Sequence, residues 1–363
     1  MARIAAVVSN GCDPDPRVLR EARWLAEDGH LVEIHAFDRL EELPEREILE
    51  GIEIIRHRVG KYRYGATFST IIGLKRFRKS VIDSLGNIDI LHCHDADTLS
   101  LMKHVKVPVI FDMHDLHHTW ILMPKPHSII RRLASKLMER RMLKLATKVD
   151  QTITTSQGFV EWLNIRNIQA KAVENRPKNR DTPPLPKSPV VGYLGRIRET
   201  TSFELLRDAI NHLHEKGTHV SVLIAGDGTH ADDVANIFQN TPHIESKISG
   251  PFDEEEMKTL MSEISMMYAM YSPERGNITD GALPAKMFEA ATFGRPSIVN
   301  KETLMGEVCE SEKLGLSVMW GDYEALANAI AELLGTSTTL SIDESRERTR
   351  FLEVVNSLLG EYC

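Results

Sequence analysis

The polar, proline-rich stretch ENRPKNRDTPPLPKSP at residues 174–189 constrains this 363-residue chain most, because one structural pattern runs up to it and starts again after it. Before it, apolar runs at residues 3–9, 31–37, 52–57, 88–92, 108–113 and 151–155 read as strands, with amphipathic helical stretches between them. The first of these helices is well marked. Asp15 is its N-cap, Pro16 opens its first turn, Val18, Leu19, Ala22, Leu25 and Ala26 face inward, and Gly29 ends it. After the stretch, runs at 190–194, 220–225, 244–248, 266–270, 296–299 and 316–319 repeat the alternation. Strands alternating with helices give a parallel sheet covered on both faces. Two such half-chains on a stiff linker predict an α/β fold of two Rossmann-like domains facing a cleft, with ligands outside the carboxyl ends of the strands. The expected divisions are residues 1–173, a linker at 174–189, a second domain at 190–335, and a C-terminal helical segment at 336–363 that packs back on the first domain. The length suffices for two ordinary cores.

Composition narrows the class. Hydrophobic content of 42% and charged content of 26% suit a globular protein, and no apolar run approaches the roughly 20 residues a membrane span needs. The start, MARIAAVVSNG, is too short and too polar at its end for a secretory signal, so a cytoplasmic location is expected. Cys12, Cys93, Cys309 and Cys363 lie far apart without CxxC spacing, which predicts reduced thiols rather than a disulfide framework or zinc knuckle. A net charge of −8 argues against general nucleic-acid affinity. Basic residues nevertheless concentrate in two places. The helix expected at 128–148 carries Arg131, Arg132, Lys136, Arg140, Arg141, Lys144 and Lys148 against one acid, Glu139, with Leu133, Leu137, Met138 and Leu145 on its other side. Residues 61–79 carry Lys61, Arg63, Lys75, Arg76, Arg78 and Lys79, interleaved with Tyr62, Tyr64, Phe68 and Phe77. Two readings are open: surfaces for an anionic membrane or a lipid-phosphate acceptor, which would put the chain at the inner face of the membrane, or ordinary solvated basic faces. Nucleic acid is a distant third, because the aromatic spacing matches no binding module.

The richest chemistry lies at residues 281–299, GALPAKMFEAATFGRPSIV. Pro284 suits a helix start, and Gly294 and Pro296 stop the helix. Lys286 and Glu289 stand three apart near the positive end of the helix dipole, so an ammonium and a carboxylate face one space. The first suits phosphate oxygens and the second a pair of ribose hydroxyls. An ordinary i,i+3 surface salt bridge is the plainer alternative. The set Pro284, Lys286, Phe288 and Glu289, followed by Ala291, Gly294 and Pro296, resembles the donor-binding signature of GT-B glycosyltransferases of the family-4 type, in the subgroup with P-x-K-x-F-E. The resemblance implies that Lys286, Phe288 and Glu289 bind a nucleotide-diphosphate sugar. Many relatives carry a second glutamate where this chain has Gly281, with Glu274 or Asp280 as its substitute here.

The resemblance extends over nearly the whole chain. NGCDPDPRVLREARWLAEDGHLVEIHAF is similar to the family's first strand, loop and helix. It implies close approach of a sugar or acceptor at Gly11, with Arg17 either contacting the acceptor or pairing locally with Asp13 and Asp15. VVGYLGRI resembles the strand and loop that present an arginine to the diphosphate, here Gly195 and Arg196. Relatives usually add a lysine about five residues later, where this chain has Thr201; Lys286 and the nearby Arg198 are left to cover that charge. AGDGTH resembles the next loop and implies donor contact at Gly226. In the first half, HCHDAD and FDMHDLHH crowd histidines together. A metal site is the tempting reading, but the spacing follows strand ends and repeats no closed ligand set, so Asp95 reads as a helix N-cap and no metal is expected. The resemblance gives His114 a contact with the donor sugar, oriented by Asp115; a satisfied loop histidine is the alternative.

Together these imply a retaining, metal-independent glycosyltransferase with no cofactor. The first domain would take the acceptor, a glycan or lipid-linked glycan, and the second the nucleotide sugar. A nicotinamide-dependent oxidoreductase would share the Rossmann halves but lacks a GxGxxG after either first strand. A non-catalytic sugar-nucleotide-binding partner stays open because of Thr201 and Gly281.

Overall fold

The computed structural model describes residues 1–62, 67–122, 125 and 127–361. Arg63, Tyr64 and Cys363 lie outside the described residues, as does the side chain of Phe68. The chain divides into two units, one of Met1–Glu174 with Arg346–Cys363, the other of Asn175–Ser345.

The first unit is built on an eight-stranded sheet comprising β1 (Arg3–Val8), β2 (Leu31–Phe37), β3 (Arg46–Leu49), β4 (Ile52–His57), β5 (Ile90–His94), β6 (Val109–Met113), β7 (Gln151–Thr154) and β8 (Lys171–Ala172). Their order is β3-β4-β2-β1-β5-β6-β7-β8, all parallel except the β3–β4 edge hairpin. Chain direction across the sheet reverses between β1 and β5, so this is where the strand order switches. β1 has five successive buried residues, Ile4 to Val8, as expected for a strand covered on both faces. The helix Pro16–Glu27 starts as its sequence predicts, with Asp15 accepting from the Val18 N–H, and Gly29 takes a φ of +87° just beyond it. The C-terminal helix Glu344–Glu361 supplies Phe351, Val354, Val355 and Leu358 to the same core as Ile4, Trp24, Ile90 and Ile110.

The second unit is built on β9 (Val190–Leu194), β10 (Ser221–Ala225), β11 (Ser246–Ser249), β12 (Met266–Ala269), β13 (Ser297–Asn300) and β14 (Gly315–Val318), in the order β11-β10-β9-β12-β13-β14. Every pairing is parallel. Alternate residues face two cores. Val191, Tyr193, Met266 and Tyr268 pack with the helices Thr201–Glu215 and Tyr323–Leu333, while Leu194, Met267 and Ala269 pack with Ala285–Thr292 and Leu304–Ser311. The switch in strand order falls between β9 and β12.

The proline-rich stretch is held by buried arginines. Arg295, fully buried, donates to the carbonyls of Pro183 and Pro184, and Arg176 makes two 2.7 Å bonds to Glu312. Residues 175–189 therefore pack as part of the second unit.

Candidate functional site

In the first unit, a strand covered on both faces favours an unbroken apolar run. β5 and β6 break that rule with His92, His94 and Asp112, all 1% exposed or less. Their register sets His94 beside Asp112. Arg17 and Glu21, one turn apart on the helix Pro16–Glu27, reach the same group. Arg17 donates from Nε and Nη2 to the two Asp112 oxygens at 2.7 Å each, and from Nη1 to the Val173 carbonyl at 2.7 Å. This buried side chain braces the end of β6. Its ionic partner is Asp112 rather than Asp13 or Asp15, and its donors are committed inside the protein, which corrects the expectation of an acceptor contact.

His114 follows β6. Its Nε2 lies 3.0 Å from Asp112 Oδ2 and 3.0 Å from His94 Nδ1, and its Nδ1 lies 3.5 Å from Asp95 Oδ2. Burial alone would strip the ring of its proton, but Asp95 and Asp112 outweigh it and raise the pKa to about 10. The result is an imidazolium with a carboxylate at each nitrogen, a fixed positive charge at the strand end. Burial works against the Asp112 carboxylate too, yet Arg17 and His114 hold it well below the usual range. Two sequence readings change here. Asp95 is the first residue of the short helix Asp95–Thr98, at φ +63°, not its N-cap, and accepts the His114 N–H at 3.0 Å. Asp115 accepts from the Leu116 N–H and from Trp120 Nε1, so the carboxylates aligned on His114 are Asp95 and Asp112.

Among the described residues, Glu21, His92, His94 and Asp112 have metal-ligand spacing, with one atom of each within 4.8 Å of the others. The cation seated among them belongs to the chain: Arg17 bonds Asp112 and lies 3.0 Å from Glu21. Neither Glu21 oxygen has a hydrogen-bond partner, and burial, outweighing Arg17, pushes its carboxyl up to about 8.

Gly11 lines a cavity of about 360 Å³ with Asn10, Asp13, Asp38 and Arg39, and its carbonyl accepts from Arg56 Nε at 2.8 Å.

In the second unit, β9 is followed by Gly195, whose φ of +127° turns the backbone sharply. A side chain there would put its Cβ 3.3 Å from the Lys286 ammonium, so glycine makes room for the lysine. Lys286 stands in the first turn of the helix Ala285–Thr292, an end that no side chain caps. Its Nζ sits 3.3 Å from the centre of the Tyr193 ring, is shielded from solvent and has no hydrogen-bond acceptor. Burial, reinforced by Arg275 and Arg198, pulls its pKa well down despite Glu289. Glu289 is half-buried one turn on. Arg196 is 60% exposed and lies 3.3 Å from Asp227 in the neighbouring loop. Thr201, at the position of the expected lysine, donates to Glu199 at 3.1 Å, and Glu199 accepts the Ser272 N–H at 3.0 Å. Gly281 adopts φ +102°, a torsion that disfavours the glutamate expected there.

Phe288 and Gly226, both expected at the donor, make packing contacts. Phe288 is fully buried, with the Arg176 guanidinium 4.3 Å over its ring. Gly226, at φ +144°, lets its loop touch the β9 loop, since a Cβ would fall 2.0 Å from the Gly195 carbonyl oxygen. Sequence reasoning missed Glu21, Asp112, Tyr193, Glu199, Tyr271 and Arg275; the available signal for Asp112 was a charge inside an otherwise apolar strand.

Residues 17–174 match the family described as Glycosyltransferase Family 4, and residues 188–336 match Glycosyl transferases group 1. The chain is 22% identical over 351 residues to the succinoglycan biosynthesis protein ExoL of Rhizobium meliloti, covering 88% of this chain and 82% of that protein. Among solved structures it resembles a sucrose-phosphate synthase from Thermosynechococcus elongatus, with a TM-score of 0.75, 17% identity and coverage of 100% and 98%. It also resembles Anabaena HepE in complex with UDP and glucose, with a TM-score of 0.64, 15% identity and coverage of 100% and 99%.

Proposed function

We propose that this chain, which belongs to the family-4-type glycosyltransferases of the GT-B fold, is a retaining enzyme that moves a sugar from a nucleotide diphosphate to a hydroxyl of a glycan or lipid-linked glycan. The observation that carries this reading is the Lys286 ammonium, buried beside Gly195 at the switch in strand order with no acceptor of its own. Burial disfavours its protonated form, and a phosphate oxygen beside the nitrogen restores it. Arg196 and the uncapped helix start add positive charge, which favours the leaving diphosphate as the bond to the sugar breaks. Glu289, one turn on, accepts from the ribose hydroxyls. In the transfer the sugar carbon exchanges its bond to the leaving oxygen for one to the acceptor oxygen on the same face, and the acceptor proton passes to the diphosphate. Positive side chains stabilise the leaving group, so no metal is required. His114 carries a fixed charge rather than a mobile proton, because both its nitrogens face carboxylates. The Gly11 cavity is the acceptor's place.

The name of ExoL puts polysaccharide assembly first among acceptor classes, and the UDP and glucose of HepE put UDP-sugars first among donors. Among the described residues no helix is long and apolar enough to cross a membrane. The helix Ile129–Ala146 instead leaves Ile130, Leu133 and Leu137 at least 64% exposed beside its basic residues, and we assign it to docking on an anionic cytoplasmic leaflet. The donor assignment is tested by titrating the wild-type chain and Glu289→Ala with UDP, GDP and ADP. The wild type should bind one of them, and the variant should lose at least tenfold in affinity. Equal affinities would remove Glu289 from the site.

A further inference from the structure

We propose that Arg275 is a further cation of the diphosphate grip, beside Lys286, and stands in for the charge that Thr201 does not supply. This rests on the donor reading above and goes beyond it, because no motif points to Arg275.

Its place in the fold comes first. Arg275 closes the loop that leaves β12, at the N-cap position of the short helix Gly276–Thr279. That loop lies outside the carboxyl end of β12, next to β9, where the switch in strand order leaves room for a ligand. Two contacts fix the loop: the Asn300 side chain bonds the N–H and carbonyl of Tyr271, and Glu199 takes the Ser272 N–H.

The side chains then bring two cations to one ring. The Arg275 guanidinium carbon is 4.6 Å from the centre of Tyr271, and the Lys286 nitrogen is 5.8 Å from the same point. Lys286 also lies over Tyr193. Such aromatic contacts favour a cation modestly, by about 0.5–2 kcal/mol, but they do not remove the repulsion of two like charges held side by side. The carboxylates nearby act on them only in part: Glu289 favours the Lys286 charge, but burial and Arg275 outweigh it. Glu199 is committed to the Ser272 N–H and to Thr201, and burial pushes its carboxyl upward, toward the neutral form. The hydrogen-bond inventory points the same way. Arg275 Nε and Lys286 Nζ are both shielded from solvent, and neither has an acceptor. Two orphaned donors of like charge converging beside one ring need an anion with several oxygens, and a diphosphate supplies it.

Thr201 explains why a second source is needed. A lysine there would reach the phosphates from the start of the helix Thr201–Glu215. The threonine hydroxyl instead goes to Glu199, which holds the β12 loop that carries Arg275. Loss of one cation and placement of another thus share a carboxylate.

The test compares wild type, Arg275→Gln and Arg275→Lys by calorimetry, each titrated with UDP, GDP, ADP and inorganic pyrophosphate, with the matching nucleosides as controls. The expected result is at least a tenfold loss of diphosphate and pyrophosphate affinity in Arg275→Gln, partial recovery in Arg275→Lys, unchanged nucleoside binding and an unchanged melting temperature. A variant that merely unfolds would lose nucleoside binding and melting temperature together, and the absence of recovery in Arg275→Lys would then count against a charge role. If the wild type binds a diphosphate and Arg275→Gln binds it equally well, the assignment of Arg275 falls and the donor reading stands. If the wild type binds none of the four anions, both fall.

Discussion

Glu21 is fully buried on the helix Pro16–Glu27 with no hydrogen bond at either oxygen, and this burial outweighs the Arg17 guanidinium 3.0 Å away, so its carboxyl holds its proton the more tightly. Its folded pKa of about 8 stands above the ordinary value of 4.5, so the folded state binds the proton more tightly than the unfolded chain. The associated stability is fully present below pH 4.5 and is lost as pH rises through about 8, at no more than about 1.4 kcal/mol per pH unit. His114, raised from 6.5 to about 10, has the same sign over a later window. Glu21→Gln keeps the shape and removes the ionisation. Its melting temperature should match the wild type near pH 4.5, exceed it increasingly toward pH 8, and run parallel beyond. Parallel melting curves across that whole range would mean that Glu21 is ionised in the folded protein.

At the scale of elements, all the runs expected as strands form strands, with ends shifted by at most two residues. One of the shifts is instructive. Residues 88–92 were expected, but β5 is Ile90–His94, because His92 and His94 look like a strand's polar end when their partners are unseen. Those partners, Asp112 on β6 and Arg17 beyond it, are distant in sequence, so no local pattern reports them. Lys286 and Glu289 were readable because one helical turn holds both. The edge strand β3 and the two-residue β8 escaped for a different reason: β3 is largely exposed and carries no apolar alternation, and β8 is too short to show one. Loop packing was equally hidden. Gly226→Ala should cost about 3 kcal/mol, from its left-handed torsion and from the clash with the Gly195 carbonyl. It should also displace Gly195 and weaken donor binding. Gly217, at φ +83° with open space where a Cβ would stand, isolates the torsional share, and Gly217→Ala should cost about 1 kcal/mol. Denaturant unfolding of both variants reads the difference, and equal losses would place the whole cost in the torsion.

At the scale of the whole molecule, a net charge of −8 should repel an anionic bilayer, so any docking must come from a local reversal of sign and from apolar insertion. The helix Ile129–Ala146 provides both. It carries Arg131, Arg132, Lys136, Arg140, Arg141 and Lys144 against Glu139, and near a charged leaflet each exposed cation contributes about 1 kcal/mol. Leu133 and Leu137 are 64% and 69% exposed, one turn apart, where a helix that only covered a core would bury them. Wild-type protein should therefore co-sediment with vesicles containing anionic phospholipid, detach as salt rises, and ignore vesicles of zwitterionic lipid. Replacing both leucines, Leu133→Glu with Leu137→Glu, removes insertion and adds two like charges to the bilayer's, so binding should fall at least tenfold. The side chains already lie in solvent, so melting temperature and turnover of a water-soluble acceptor should stay unchanged. Undiminished co-sedimentation of the double variant would assign the basic residues to an ordinary solvated face.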